Sequence, residues 1–184
     1  MKKLFFLAML IMLASANLFA QKYITKNGKV SFYSDGEIEK IQATNDQVSA
    51  AIDTSTGDFV VKILVKSFEF EKALMQEHFN DDYMESDKYP NSTFKGKITN
   101  LSDVNFSKDG TYNANIQGSL TIHGVTKSVT EKGTLQIKDG KIIGTSKFDV
   151  TLSDYNVKIP SVVSKNIAKT VQINVAFSMG AVKS

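Results

Sequence analysis

The sequence predicts an all-β protein, a closed or nearly closed antiparallel barrel of about eight strands with one short helix. Residues 113–127 carry the clearest pattern, because small or apolar side chains alternate there with polar ones as in a half-buried strand. The same alternation recurs along most of the chain. Turn dipeptides such as Asp139-Gly140 separate the alternating segments.

Residues 1–20 have the pattern of a secretory signal peptide. Lys2 and Lys3 precede an unbroken apolar run over residues 4–13, and small residues follow it. The run is shorter than the roughly 20 residues that span a bilayer, which favours a cleaved signal over an uncleaved anchor. We expect cleavage after Ala20, with Ala16 as the alternative. Residues 21–184 then form one domain that is exported to the periplasm or secreted.

Composition excludes several classes of function. All 22 basic residues are lysine, so the chain lacks the planar guanidinium that favours contacts with phosphates and base edges, and nucleic acid is not an expected partner. The net charge of +3 falls to about +1 when Lys2 and Lys3 leave with the signal. The absence of cysteine excludes disulfides, thiolate metal sites and cysteine catalysis.

Short strands separated by turns are predicted at the start of the domain. Asn27-Gly28 is a tight-turn dipeptide, expected to divide a short extended piece from a strand over residues 29–34. Asp35-Gly36 is expected to turn the chain again. The inner face of the next strand is marked by Val48, Ala50 and Ile52.

A longer strand is predicted after a turn at residues 55–58. One face carries Phe59, Val61, Ile63 and Val65. The opposite face is also apolar, with Val60, Leu64, Phe68 and Phe70, so another element is expected to cover it. The expected cover is a helix over residues 71–80, whose apolar face consists of Leu74, Met75, His78 and Phe79. That face is expected to cap an opening of the barrel or to lie along its wall.

Beyond an irregular connection at residues 81–90, alternating strands are predicted to the end of the chain. Turns are expected at Gly124 and at Asp139-Gly140, and a loop over residues 153–169. The inward residues predicted for the last strand are Val171, Ile173, Val175, Phe177 and Met179. Glycines recur in phase with the inward residues of the preceding strands, at Gly96, Gly118, Gly133 and Gly144. These glycines leave an apolar cavity or let the strands bend, and the pattern alone favours neither.

Three short motifs are spread along the chain: MQEHFN at residues 75–80, Lys88-Tyr89-Pro90 with Phe94 four residues after the proline, and LTIHGVTK at residues 120–127. Together they resemble the signature segments of the YceI-like family of lipid/polyisoprenoid-binding proteins, in order and in spacing. The resemblance covers residues 23–179. It implies a lipocalin-like barrel, exported to the periplasm, with a long isoprenoid chain in an apolar tunnel.

The resemblance implies a binding protein, not an enzyme, with no cofactor and with an isoprenoid or other long-chain lipid as its partner. Transient contact with a membrane during loading is compatible with that role, and the sequence predicts no oligomeric state. We expect the lipid to contact Phe59, Val61, Ile63, Phe79, Tyr83, Phe94, Ile98, Leu120, Ile122, Phe148, Tyr155, Val175 and Phe177. A large residue at Gly118 or Gly144 is expected to block the lipid and leave the fold intact.

One departure from the family pattern concerns the polar end of the ligand. Where relatives often have Arg-x-Asp-aromatic-Gly, this chain has residues 152–156, LSDYN, with leucine in place of arginine. If that arginine holds a head group in relatives, this chain must use lysine or bind a less polar ligand.

Two other classes of function stay open at the level of sequence. One is an exported stress or interaction protein whose barrel is filled by its own side chains. The other is a lipid hydrolase or isomerase, although no nucleophile motif such as Gly-x-Ser-x-Gly occurs. His78 and His123 show no metal-ligand spacing and are expected to make structural hydrogen bonds.

Overall fold

The computed structural model describes residues 22–182, and the signal peptide predicted over residues 1–20 lies outside them. The strands of this part are β1 (Lys22–Asp35), β2 (Lys40–Asp53), β3 (Asp58–Leu64), β4 (Glu69–Phe70), β5 (Asn91–Ile98), β6 (Gly110–Ile122), β7 (Val125–Lys138), β8 (Lys141–Thr151) and β9 (Thr170–Ala181). Helix α1 (Ala73–His78) continues directly into a π-helical segment, Phe79–Tyr83. None of the helices in residues 22–182 has the length and apolar character needed to span a bilayer.

Eight of these strands close into one antiparallel barrel. Its order is β1, β2, β3, β5, β6, β7, β8 and β9, and β1 completes the ring by pairing with both β2 and β9. The two-residue β4 pairs only with Ala43 and Thr44 of β2. The predicted antiparallel barrel with one short helix is therefore confirmed.

The two ends of the barrel differ. At the lower end, where β2 leads to β3 and β7 leads to β8, inward side chains fill the interior, and Ile52, Ile142 and Met179 are fully buried. A barrel filled by its own side chains is thus found in this half only. At the upper end, α1 and residues 153–169 lie over the opening between the strands.

Two hairpin turns have the backbone that their sequences predict. His123 and Gly124 have φ values of 50° and 74°, and Asp139 and Gly140 have φ values of 51° and 70°. Positive φ at both central residues is typical of the type I′ turn, whose twist matches that of the flanking strands. Strand β7 begins at Val125, directly after the first turn.

The turn predicted at Asn27-Gly28 is wrong. Strand β1 runs without a break through these residues, and its pairing registers with β2 and β9 shift there as in a β-bulge. The reason for glycine is contact with the last strand, because a Cβ on Gly28 would lie 2.4 Å from Cδ1 of Phe177. Glycine thus makes room for an aromatic ring that is distant in sequence.

The expected cover over the outer face of β3 is also absent from residues 22–182. Val60 and Leu64 are 45% and 44% exposed. Phe68 and Phe70 are not on that face, because a 3-10 turn at Val65–Ser67 ends the strand and directs them toward the interior. Helix α1 is shorter than predicted, and Leu74 on its expected inner face is 62% exposed.

The loop at residues 153–169 is held against the first hairpin. The backbone N–H of Ala168 donates a hydrogen bond of 2.9 Å to Oγ of buried Ser34, and that of Ile38 donates one of 3.1 Å to the carbonyl oxygen of Lys165. Gly36 is packed closely against Asn166, where a Cβ would lie 2.1 Å from the carbonyl oxygen. The loop therefore has a fixed position over the upper end of the barrel.

Candidate ligand-binding cavity

The upper half of the barrel encloses an apolar cavity of about 360 Å³. All eight barrel strands contribute side chains to its wall, and α1, the π-helical segment and residues 153–169 contribute to its roof. The volume is within the range of small-molecule sites, which are typically concave and mostly apolar. This cavity, called the upper cavity below, is the candidate site.

The predicted ligand-contact residues converge on this space with one exception. The upper cavity is lined by Phe59, Val61, Ile63, Phe79, Tyr83, Phe94, Leu120, Ile122, Phe148, Tyr155, Val175 and Phe177. Ile98 was expected to join them, but it lies in the lower half and borders a separate cavity of about 40 Å³. Strand alternation gave the correct face for Ile98 and could not give its depth along the barrel.

Three aromatic rings form the floor of the upper cavity. The ring centroid of Phe59 lies 6.0 Å from that of Phe94 and 6.0 Å from that of Phe177. Phe59 and Phe177 also border the lower cavity, so together with Ile116, Ser146 and Val175 they form the partition that separates the two spaces. The lower cavity is thus a small pocket beneath a floor of aromatic rings.

A second group of rings lies under the roof. The ring of Phe79, at the start of the π-helical segment, is 5.0 Å from that of Phe70 and 5.6 Å from those of Phe32 and Phe68. The ring of Phe32 is stacked on that of Phe79, and the other two contacts are tilted or edge-on; such arrangements stabilise aromatic pairs beyond the burial of their area. Phe79 therefore connects the short helix to the upper wall of the barrel.

The glycines on the inward faces of the strands have different roles, and only some of them leave space in the interior. A Cβ on Gly118 would lie 2.5 Å from both Cα of Gly96 and the carbonyl oxygen of Lys95, and 2.7 Å from the ring of Phe94. This glycine allows close approach of two strands under an aromatic ring, so the expectation that tryptophan there leaves the fold intact is wrong. Gly144 differs, because the nearest atom to its Cβ would be Cδ2 of Leu135 at 3.5 Å. It borders the lower cavity, so a large residue there would not obstruct the upper one.

A model of the YceI-like domain matches residues 22–179 of this sequence. The chain belongs to the YceI-like family. Among solved structures, a polyisoprenoid binding domain from Saccharophagus degradans implicated in plant cell wall breakdown superposes with a TM-score of 0.75 at 15% identity, over 89% of this chain and 99% of that one. BcnA from Burkholderia cenocepacia superposes with a TM-score of 0.68 at 22% identity, over 83% of this chain and 96% of that one.

A third YceI-like structure, the Campylobacter jejuni YCEI protein that crystallizes with large solvent channels, gives a TM-score of 0.55 at 21% identity, over 74% of this chain and 82% of that one. Identities this low show a shared fold. No protein with a curated description matches the chain.

The departure from the YceI-like pattern lies at the upper cavity. Leu152, which stands where relatives often have arginine, is part of the lining. Asn156 stands where the family pattern has glycine, and its φ of 57° is a left-handed conformation that asparagine tolerates better than most residues. This chain thus has a left-handed residue where the family pattern has glycine, and an apolar side chain where it has a cation.

Polar side chains are a minority in the lining of the upper cavity, and none of those from residues 22–182 is a lysine. Burial raises the pKa of Tyr83 and of Tyr155, so both present neutral hydroxyl groups. Glu39 lies at the mouth, where Nζ of Lys72 is 2.9 Å from its carboxylate and lowers its pKa. Glu131, which was not identified from the sequence, is the other lining carboxylate.

His123 lies outside the upper cavity and braces the β6–β7 turn. Its Nε2 is 2.8 Å from a carboxylate oxygen of Glu85, and its Nδ1 is 3.3 Å from the carbonyl oxygen of Tyr155. The ring of Tyr89 packs edge-on against it at 4.6 Å, and Tyr89 is not part of the lining of the upper cavity. His78 lines the mouth and contacts Asp82 at 2.6 Å. No cluster of potential metal ligands occurs within residues 22–182.

Proposed function

We propose that this protein binds an isoprenoid or a similar long-chain lipid in the upper cavity, and sequesters or carries it without changing it chemically. The observation that carries the proposal is the cavity of about 360 Å³ in the upper half of the barrel, whose lining is mostly apolar. Each methylene group buried there contributes about 0.8 kcal/mol in the ideal limit. A preformed wall also reduces the ordering that binding would otherwise require.

The family gives independent support. The structural relative from Saccharophagus degradans is described as a polyisoprenoid binding domain, and its fold covers 89% of this chain. The two histidines support a role without catalysis, because His123 is engaged at a turn and His78 pairs with a neighbouring aspartate. Export to the periplasm, through a signal at residues 1–20, is part of the same proposal.

The direct test is to identify what the protein carries. The protein is purified gently from its own host, extracted with organic solvent, and the extract is analysed by mass spectrometry. We expect one long-chain lipid in an amount close to one per protein molecule. A folded protein that yields no lipid, and that fails to bind geranylgeraniol in a subsequent titration, would contradict the proposal.

A pair of variants on β9 separates binding in the upper cavity from adsorption to the surface. Ile173 faces the cavity, whereas Ala176 on the same strand is exposed on the outside. Ile173→Trp is expected to fill the cavity and remove the lipid, while Ala176→Trp adds the same ring outside and retains it. Thermal unfolding of both variants shows whether each is folded. Equal lipid content in the two folded variants would show that the lipid is bound outside the upper cavity.

A further inference from the structure

The barrel wall is incomplete beside the upper cavity. Strands β7 and β8 pair from Lys138–Lys141, next to their hairpin turn, as far as Gly133–Ser146. Beyond that pair, β7 continues to pair with β6 and β8 continues to pair with β9, but β7 and β8 no longer pair with each other. Residues 125–132 and 147–151 therefore border an opening in the wall, called the β7–β8 gap below.

Glu131 lies at this gap and faces inward. It is two residues beyond the last paired residue of β7, in phase with Val129 and Gly133, and its half-buried side chain lines the upper cavity. Ser146 on the facing strand is already engaged, because its Oγ donates a hydrogen bond of 2.7 Å to the carbonyl oxygen of Lys132. Within residues 22–182, the carboxylate of Glu131 has no hydrogen bond and no ion pair.

The half-buried carboxylate of Glu131 is a hydrogen-bond acceptor, and it favours a ligand that supplies a hydrogen-bond donor. Removing a carboxylate from water costs free energy unless a hydrogen bond replaces the water, and burial followed by the nearby charge of Asp149 raises the pKa of Glu131. Glu39 has its donors already, from Lys72 and Asn166. Glu131 is thus the lining carboxylate whose acceptor capacity is left for a ligand.

We infer that Glu131 at the β7–β8 gap accepts a hydrogen bond from the polar end of the bound lipid, and that this end is a hydroxyl or amino group, not a phosphate or carboxylate. The inference rests on the proposed function and specifies the class of lipid. A phosphate would meet the charge of Glu131 and Asp149, with no lysine in the cavity lining to offset the repulsion. The hydrocarbon chain extends from the gap toward the floor of the upper cavity.

The test uses three probes with the same hydrocarbon chain. Geranylgeraniol presents a hydroxyl donor, its methyl ether presents none, and geranylgeranyl phosphate presents an anion. Each probe is titrated against the delipidated protein and the dissociation constant is measured. We expect the alcohol to bind about tenfold more tightly than the ether, as for one hydrogen bond to a charged acceptor, and the phosphate to bind most weakly.

Variants then assign the effect to one side chain. Glu131→Leu is expected to bind the alcohol and the ether with equal affinity, and Glu131→Gln is expected to improve binding of the phosphate because the repulsion is removed. Glu77→Gln, which makes the same charge change on the exposed side of α1, serves as the matched control and should keep the wild-type order. Thermal unfolding confirms that each variant is folded.

The outcomes separate this inference from the proposed function. If the three probes bind the wild type with equal affinity, or the phosphate binds best, lipid binding stands and the role of Glu131 is refuted. If Glu39→Gln removes the preference for the alcohol while Glu131→Leu retains it, the polar end of the lipid lies beside Glu39 and the role of Glu131 is refuted. If none of the probes binds, both proposals fail together.

Discussion

The ring centroids of Phe59 and Phe177 lie 6.0 Å apart, and both side chains border the upper and the lower cavity. The two residues come from β3 and β9, which are not neighbours in the sheet, so their contact crosses the barrel interior. Under the proposed function, the ring of Phe59 would limit how deep a ligand chain can reach.

Removing that ring should extend the site downward. In Phe59→Ala the upper cavity would join the lower one, and the preference should shift from farnesol and geranylgeraniol toward longer polyprenols. The measurement is the affinity for a series of prenyl alcohols of increasing length. Loss of the ring is also expected to lower the free energy of unfolding by about 3 kcal/mol. Val60→Ala, on the exposed face of the same strand, should change neither property, and an unchanged length preference in Phe59→Ala would refute the partition.

The glycines of β6 and β8 should respond differently to the same substitution. Gly118→Ala places a methyl group within 2.5 Å of backbone atoms of β5 and is expected to lower the free energy of unfolding by about 2 kcal/mol. Gly144→Ala meets only Leu135 at 3.5 Å and should be neutral or stabilising by about 0.5 kcal/mol. Denaturant unfolding of the two variants provides the comparison. Equal destabilisation would indicate that bending of the strands, not close packing, requires glycine at both positions.

The contact between His123 and Glu85 should make the free energy of unfolding depend on pH in the acid range. The hydrogen bond from His123 lowers the pKa of Glu85 below its usual value near 4.5, so the folded protein binds this proton less readily than the unfolded chain does. The stabilisation is complete above pH 4.5 and is lost as the pH falls through the lowered pKa. We expect the difference in thermal midpoint between the wild type and Glu85→Gln to shrink over that interval.

The control for this measurement is His123→Ala, in which the pKa of Glu85 loses its main perturbation. This variant should lower the thermal midpoint at neutral pH and should reduce the acid dependence assigned to Glu85. A difference between the wild type and Glu85→Gln that is constant from neutral to acid pH would show that the contact does not contribute through ionisation.

The titratable residues in the family motifs should not alter a bound lipid. His78→Asn, His123→Asn and Asp154→Asn are each expected to leave the mass of a bound prenyl alcohol unchanged after prolonged incubation, as in the wild type. Mass spectrometry of the extracted lipid checks this. A product that forms with the wild type and disappears in one of these variants would instead establish lipid turnover.

Local patterns predicted the strands and twelve of the 36 residues that line the upper cavity. Alternation assigned Leu120 and Ile122 to the inner face, and Asp139-Gly140 identified its hairpin. The same pattern contains Glu131, which is in phase with Val129, but a charged residue on an inward face gives no hydrophobic signal. Glu131 lies beside the gap because the pairing of β7 with β8 ends at Gly133, and the alternation of residues along a strand does not show where its pairing ends.

Contacts between distant parts of the chain account for the predictions that were wrong. The dipeptide at Gly28 predicts a turn from local sequence, whereas the need for a small side chain comes from Phe177 at the other end of the sequence. Val60 and Leu64 were assigned to a covered face, but the chain turns inward immediately after β3. The loop residues Val163 and Ile167 line the cavity without any periodic signal, since their position is set by hydrogen bonds of residues 165 and 168 to the first hairpin.

The pairing of β1 with β9 has a consequence for folding kinetics. The ring closes only when the first and last strands of the domain meet, as where Val30 lies opposite Val175. A ribosome must therefore release nearly the whole chain before the ring can form. Contacts between residues so far apart in sequence slow the search for the native state, so the nascent chain stays open for longer than one built from local hairpins alone. If residues 1–20 direct export as proposed, late closure keeps the chain unfolded, the form in which it can be threaded through a membrane.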